Sequence, residues 1–191
     1  MAIGYAFLFG LALGFSLVIP PGPMNALIAS RSVETLRSGI ITGFGALTAD
    51  LALGILVYAA RSQVDLGSVA RAIYLVGAVV MVYFAVRLFR HPTPTPSPEP
   101  QHLRIYSQAI LVGISNPFQI LWWLTAGLAF AYFGGIVLFL GLFAAITIWI
   151  VAFPYALHLG TRRRPELARA VVYVSAAIML AFAAYFAFLA L

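Results

Sequence analysis

The sequence predicts an all-α integral membrane protein whose six transmembrane helices form two inverted three-helix repeats, the first helix of each repeat being broken at proline. Hydrophobic residues make up 63% of the 191-residue chain and charged residues only 8%, and the mean hydropathy is +1.03. A soluble domain carries about 25% charged residues, so this chain has more apolar surface than a soluble core can bury. The apolar residues fall into six runs, each close to the ~20 residues that a helix needs to cross a bilayer.

The first apolar run covers residues 2–30 and is interrupted at Pro20–Pro23. It lacks a basic segment at its start and a small-residue cleavage site, so we expect a retained span rather than a cleaved signal. Proline removes a backbone N–H and clashes with the carbonyl one turn earlier, which breaks the helix. At a rise of ~1.5 Å per residue the break lies well inside the bilayer. Protein groups or a water-filled cavity must therefore serve the freed backbone groups.

The second and third runs, residues 38–60 and 69–89, are uninterrupted. Asp50 lies deep in the second run, where an aspartate costs about 2.5–3.5 kcal/mol on insertion scales and usually faces a polar interior. We expect Asp50 to bind a substrate ammonium or to carry a proton; a purely structural aspartate is the alternative. The small neighbours that would let another helix approach closely are Gly43, Gly45, Ala46 and Ala49.

A proline-rich linker at residues 90–103 follows the third run. Its alternating prolines favour an extended, solvated tether over a folded unit. The linker therefore separates a first three-helix repeat, residues 1–89, from a second one, residues 104–191.

The second half contains three further runs, residues 104–131, 135–159 and 166–190. The first of these is interrupted at Asn116-Pro117, and this break also lies inside the bilayer by length. Half-helices that begin at such breaks present N–H groups of partial positive charge, which suit a carboxylate. Asn116 and Asn25 add amide donors and acceptors near the two breaks.

A shift of 98 residues relates the two halves. The stretch "ARAIYLVGAVVMVYFA" from Ala70 then superposes on "ARAVVYVSAAIMLAFA" from Ala168. The same shift brings Pro20 to within one residue of Pro117, although the breaks do not set the register. Three helices are an odd number, so the second repeat enters the membrane from the opposite side, as in many secondary transporters.

The arginines predict the orientation of the chain. All eleven basic residues are arginine, and the net charge is +6. These arginines lie in short loops between the apolar runs, which is typical of membrane topology rather than of a nucleic-acid-binding face. With the N-terminus outside, the inner segments hold nine of them: Arg31, Arg37, Arg87, Arg90, Arg104, Arg162, Arg163, Arg164 and Arg169. The outer segments hold Arg61 and Arg71. Both termini are therefore expected outside, with the linker in the cytoplasm.

Enzyme chemistry has no positive signal in this sequence. The chain has no cysteine and three scattered histidines, which excludes thiol chemistry and makes a poor metal cluster. It shows no nucleophile–base pairing and no phosphate-binding loop. We therefore expect no enzymatic activity, no cofactor and no metal site.

Trp122 and Trp123 follow the second break closely, and they either line a central cavity or anchor the chain at the membrane interface.

Four stretches resemble a known family of exporters. "SLVIPPGPMNALIASRS" resembles the first-helix Pro-Gly-Pro signature of the LysE/RhtB amino-acid translocators, and "ILVGISNPFQILWWLTAGLAF" resembles the Asn-Pro segment that opens their second half. "GFGALTADLALG" is similar to their second helix, which often carries an aspartate where Asp50 stands. "RAIYLVGAVVMVYFAVRLFR" is similar to their third helix. Many members continue Asn-Pro with lysine, whereas Phe118 and Gln119 follow in this chain, which leaves the substrate preference open.

The resemblance implies a secondary exporter of amino acids or related small metabolites, driven by the proton-motive force across a prokaryotic cytoplasmic membrane. Carried over by position, and with Trp122 added as a cavity candidate, the expected substrate-binding residues are Pro21, Gly22, Pro23, Asn25, Asp50, Asn116, Pro117 and Trp122. The expected partners are that small molecule and membrane lipid, with a homo-oligomer left open. A divalent-metal exporter of related six-helix architecture and a non-transporting membrane scaffold are the alternative functions.

Overall fold

The structure, a computed structural model, describes residues 3–19, 22–60, 66–90, 102–124, 135–164 and 166–190. These ranges are almost entirely helical and contain no strand, which confirms the all-α prediction for them. Their helices are α1 (Ile3–Val18), α2 (Pro23–Glu34), α3 (Leu36–Ala60), α4 (Leu66–Arg90), α5 (His102–Ile114), α6 (Pro117–Trp122), α7 (Gly135–Arg163) and α8 (Glu166–Leu189).

Three of the described helices are long and apolar enough to cross a membrane: α7, α8 and the Leu36–Leu56 part of α3. Helices α1 and α2 form a fourth span if they are counted as one helix bent by 77°. Large apolar side chains cover the outer faces of the bundle, with Ile136 and Phe188 both more than 70% exposed. These features fit a multi-pass membrane protein, while the six-span count and the inverted arrangement stay predictions.

Both interruptions expected from the sequence occur between described helices. Helix α1 ends at Val18 and α2 begins at Pro23, while α5 ends at Ile114 and α6 begins at Pro117. Proline is well suited to the first position of a helix, because the N–H that it lacks would have no partner inside the helix there. Each proline therefore starts a new helix after the break.

The most extensive helix pairs each join a segment before the linker to a segment after it. Helix α1 packs along α7, α3 along α5, and α4 along α8. Glycines permit the closest approaches: a Cβ added at Gly10 or Gly14 would collide with the backbone of α7, and one at Gly45 would lie 2.6 Å from the Cβ of Ala109. Such small residues let membrane helices pack at short range where lipid supplies no hydrophobic driving force.

Two clusters of buried apolar side chains hold the bundle together. The first lies between α2, α4, α5 and α8 and includes Met81 and Met179, both fully buried. The second joins α3 and α7 around Trp123, which is only 2% exposed. The space between these clusters contains the candidate site.

Candidate functional site

A cavity of about 240 Å³ lies between the two buried clusters. Its wall combines α2 and α3 with the segment at the second break and with α7. Five of the residues expected from the sequence line it: Gly22, Pro23, Asn25, Asp50 and Asn116. Both helix breaks and the buried aspartate therefore face one shared space, which we call the central cavity.

Two of the three remaining expected residues, Pro117 and Trp122, lie elsewhere. Pro117 is buried against α4, where a Cβ added at Gly77 would collide with its ring. Trp122 is partly buried and packs edge-on against Trp123, with ring centroids 5.3 Å apart. Neither side chain is part of the described wall of the central cavity. Pro21 lies outside the described residues.

The first break is bridged by the side chain of Asn25. Its amide nitrogen donates to the backbone carbonyl of Val18 at the end of α1. Its amide oxygen accepts a hydrogen bond of 3.1 Å from the indole nitrogen of Trp149 on α7. Helix α2 itself starts after Gly22, and this N-cap residue supplies no side-chain cap. The amino end of α2 therefore reaches the cavity wall without a cap from its own N-cap residue.

The second break is served by its own asparagine. The side-chain oxygen of Asn116 accepts from the backbone N–H of Phe118 at 3.2 Å, and its carbonyl accepts from the N–H of Ile120 at 3.0 Å. Asparagine is among the strongest N-cap residues because its side chain satisfies an N–H that the helix leaves free. The two half-helix ends thus differ: α6 is capped from within, whereas α2 is not.

Asp50 is buried, at 5% exposure, with two side-chain partners. The indole nitrogen of Trp123 donates to its Oδ1 at 2.9 Å, and the side chain of Gln119 forms a second hydrogen bond. The sequence prediction did not include Gln119 or Trp149, and it left the position of Trp123 open. Gln119 and Trp123 are four residues apart and so lie on one helical face, a spacing that could have linked them.

Asp50 is the one ionisable side chain in the described wall of the central cavity. Amide groups and apolar side chains form the rest of that wall. No group of three or more histidine, aspartate or glutamate side chains that could hold a metal ion occurs in the described ranges. The chemistry of the wall suits one cationic group beside Asp50 and apolar atoms elsewhere.

Comparisons with known proteins agree with these motifs. The family model described as LysE type translocator matches residues 15–189. A Bacillus subtilis (strain 168) protein named "Putative amino acid efflux protein YcgF" is 29% identical over 125 residues, a match that spans 62% of this chain and 60% of that relative. No solved structure matches the chain. Since the family model covers most of the sequence, as the Pro-Gly-Pro and Asn-Pro motifs predict, the chain belongs to the LysE type translocator family.

Proposed function

We propose that this translocator is a secondary exporter of amino acids with uncharged side chains, or of closely similar metabolites, driven by the proton gradient across a prokaryotic cytoplasmic membrane. One observation carries the proposal: both helix breaks and Asp50 line the same cavity inside the helical core. The family supplies the class of activity, and the name of the Bacillus subtilis relative, "Putative amino acid efflux protein YcgF", supports the substrate class.

The size and lining of the central cavity support a medium-sized zwitterion. A volume of about 240 Å³ corresponds to roughly eight groups of water size at ~30 Å³ each. The ammonium of an amino acid pairs with Asp50, and its carboxylate lies at the first turn of α2, where helix dipoles favour negative charge. Ile28, Ile146 and Ile150 form an apolar wall for the side chain. A charged side chain would have no ionisable partner there besides Asp50.

The helix contacts support two inverted repeats as the moving parts. The 98-residue shift carries α1 onto α5 and α3 onto α7, so the α1–α7 and α5–α3 pairs are counterparts. The same shift relates α4 to α8, and those two helices pack on each other. It also carries Met81 onto Met179, and both lie in one buried cluster. We infer six spans in repeats 1–89 and 104–191, with both termini outside, that rock against each other.

Asp50 couples the solute to the proton gradient in this proposal. A carboxylate that pairs with an ammonium in one state and takes up a proton in the other exchanges the two across the membrane. Trp123 and Gln119 hold its side chain in one place, so both partners meet the same oxygen atoms. Intramembrane carboxylates serve proton relays in many transporters.

Flux into proteoliposomes tests this function. With an imposed proton gradient we expect labelled leucine or threonine to move much faster than arginine or glutamate. Asp50→Asn should lower the rate of gradient-driven flux at least tenfold, because the amide can neither take up a proton nor carry a negative charge. Glu34→Gln is the matched control, since Glu34 pairs with Arg31 away from the cavity wall, and it should keep wild-type flux. Undiminished gradient-driven flux in Asp50→Asn would refute the role of Asp50.

The two alternative functions give different results in the same vesicles. A divalent-metal exporter would move Mn²⁺ or Mg²⁺, yet ions of this kind prefer several oxygen ligands and the described cavity wall offers one carboxylate. A scaffold would show no gradient-driven flux of any solute. It would also show no rise in melting temperature with amino acids, which bound ligands produce by linkage.

A further inference from the structure

A second cavity, of about 450 Å³, lies between α2, α7 and α8. It shares Gly22, Asn25 and Trp149 with the central cavity, and the hydrogen bond between Asn25 and Trp149 is part of this common wall. At its other end, Gly160 and Thr161 belong to the last turns of α7, next to the α7–α8 turn. The second cavity therefore extends from the central site toward that end of the bundle.

The residues along α7 give the order of these features. Phe139 and Phe143 stack on Trp123, with ring centroids 6.3 Å away in each case. Ile146 and Trp149 belong to the central cavity, and Thr161 ends the second one. About 22 residues separate the first and last of these positions, or roughly 33 Å along the helix. This length matches the ~30 Å hydrocarbon core of a bilayer.

The hydrogen bond at the wall has a counterpart on the other side of the central cavity. The 98-residue shift carries Asn25 onto Trp123 and brings Asp50 to within one residue of Trp149. The bond from Trp149 to Asn25 is thus equivalent to the bond from Trp123 to Asp50, with donor and acceptor exchanged between the two elements. Each bond joins the segment after a break in one repeat to the second helix of the other repeat.

The two hydrogen-bonded tryptophans, Trp123 and Trp149, differ in how tightly they are packed. Trp123 is 2% exposed, stacks on two phenylalanines, and would meet a Cβ added at Gly54 at 2.8 Å. Trp149 is partly exposed, has a stacking contact with Phe153, and borders a cavity on each side. The Trp123 side is a packed aromatic barrier, whereas the Trp149 side is a thin partition.

We propose that Asn25 and Trp149 form a gate through which the solute passes between the second cavity and the central cavity, while Trp123 closes the opposite end of the path. The second cavity is then the vestibule on the side of the α7–α8 turn. The proposal rests on the proposed function for the identity of the solute. Breaking the hydrogen bond from Trp149 to Asn25 joins the two cavities. It leaves Asp50 undisturbed, because the hydrogen-bond partners of Asp50 lie on the other side of the central cavity.

Cysteine labelling tests the gate, because the sequence contains no cysteine and each introduced thiol reports alone. Ala46→Cys reports the central cavity and Ala156→Cys the second cavity, since each residue lines only that one. Leu159→Cys is the control, an exposed position one turn further along α7 that lines neither described cavity. A membrane-impermeant thiol reagent is applied to each face, and Arg163→Cys at the turn identifies the face on the vestibule side.

From the vestibule side, Ala156→Cys should react faster than Leu159→Cys, because of the two residues only Ala156 lines the second cavity. Ala46→Cys should react slowly. Adding Trp149→Phe should raise its labelling rate about two- to twelvefold, which is the change in population expected when the gate loses one neutral hydrogen bond. Adding Trp123→Phe should not accelerate it from this side. If Ala156→Cys reacts no faster than Leu159→Cys, the second cavity holds lipid chains and the proposal fails. It also fails if Trp149→Phe leaves the Ala46→Cys rate unchanged.

The labelling result is independent of the solute, so the two proposals can fail separately. If the protein exports leucine but Trp149→Phe does not change the labelling rate of Ala46→Cys, the proposed gate is wrong and the proposed exporter function stands. Labelling that follows the expected pattern in vesicles that move no amino acid would support the gate and overturn the proposed substrate.

Discussion

Trp123→Phe tests whether the indole nitrogen stabilises the buried carboxylate of Asp50. The substitution removes the donor of a 2.9 Å hydrogen bond in a site where water has little access. A hydrogen bond to a charged group contributes about 1.5–3 kcal/mol. The smaller ring also leaves a small void in the packed cluster, and the lost packing costs about 1 kcal/mol. We expect a total loss of about 2.5–4 kcal/mol in the free energy of unfolding.

A double-mutant cycle with Asp50→Leu separates the two contributions. In that background the carboxylate is gone, so Trp123→Phe should cost only the packing part, about 1 kcal/mol. The coupling energy between the two positions should then be about 1.5–3 kcal/mol. Equilibrium unfolding in mixed detergent and SDS micelles, followed by tryptophan fluorescence and by helical circular dichroism, gives each free energy.

Trp149→Phe is the matched control for this cycle. It also removes an indole donor, but that donor binds the neutral amide of Asn25. Its cost should be about 0.5–1.5 kcal/mol plus packing, and it should be the same with and without Asp50→Leu. A coupling energy near zero between Trp123 and Asp50, or an equal coupling for Trp149, would refute the assignment of Trp123 as the partner that stabilises the carboxylate.

Four further substitutions, one of them a control, have defined outcomes in the same unfolding assay. Gly45→Ala places a methyl group within 3 Å of α5 and should cost about 1–3 kcal/mol, whereas Gly160→Ala, with no atom within 4 Å of its Cβ, should cost nothing. Glu34→Gln breaks the 2.8 Å ion pair with Arg31, which is partly exposed, so the loss should stay below about 1 kcal/mol and shrink in high salt. His158→Ala removes a 3.0 Å hydrogen bond to a carbonyl at the end of α2 and should cost about 0.5–1.5 kcal/mol.

The sequence predicts the backbone of the site well, because the physics involved is local. Proline and the N-cap preference of asparagine fix where the helices break, and both breaks occur between described helices as expected. Long apolar runs fix where α3, α7 and α8 lie. A deep aspartate has to face protein rather than lipid, and Asp50 does so.

The partners of these groups could not be predicted, because they depend on which helices meet. Nothing near Asp50 in the sequence indicates that the indole of Trp123 is its donor, 73 positions away. The same holds for Trp149 and Asn25, 124 positions apart. The unequal capping of the two half-helices also needs the structure, since Asn25 follows Pro23 whereas Asn116 precedes Pro117. That difference of order decides which helix end is capped from within.

The helices before the linker pack mainly on helices after it, and this has a consequence for how the protein is made. During synthesis the first half enters the membrane before α5, α7 and α8 exist, so its glycine-lined faces and Asp50 have no partner. Chaperoning by the insertion machinery must cover that interval, and a chain truncated in the linker should be degraded rather than accumulate. Two separately expressed halves, by contrast, should rescue each other when present together, since the most extensive helix pairs form between the two halves.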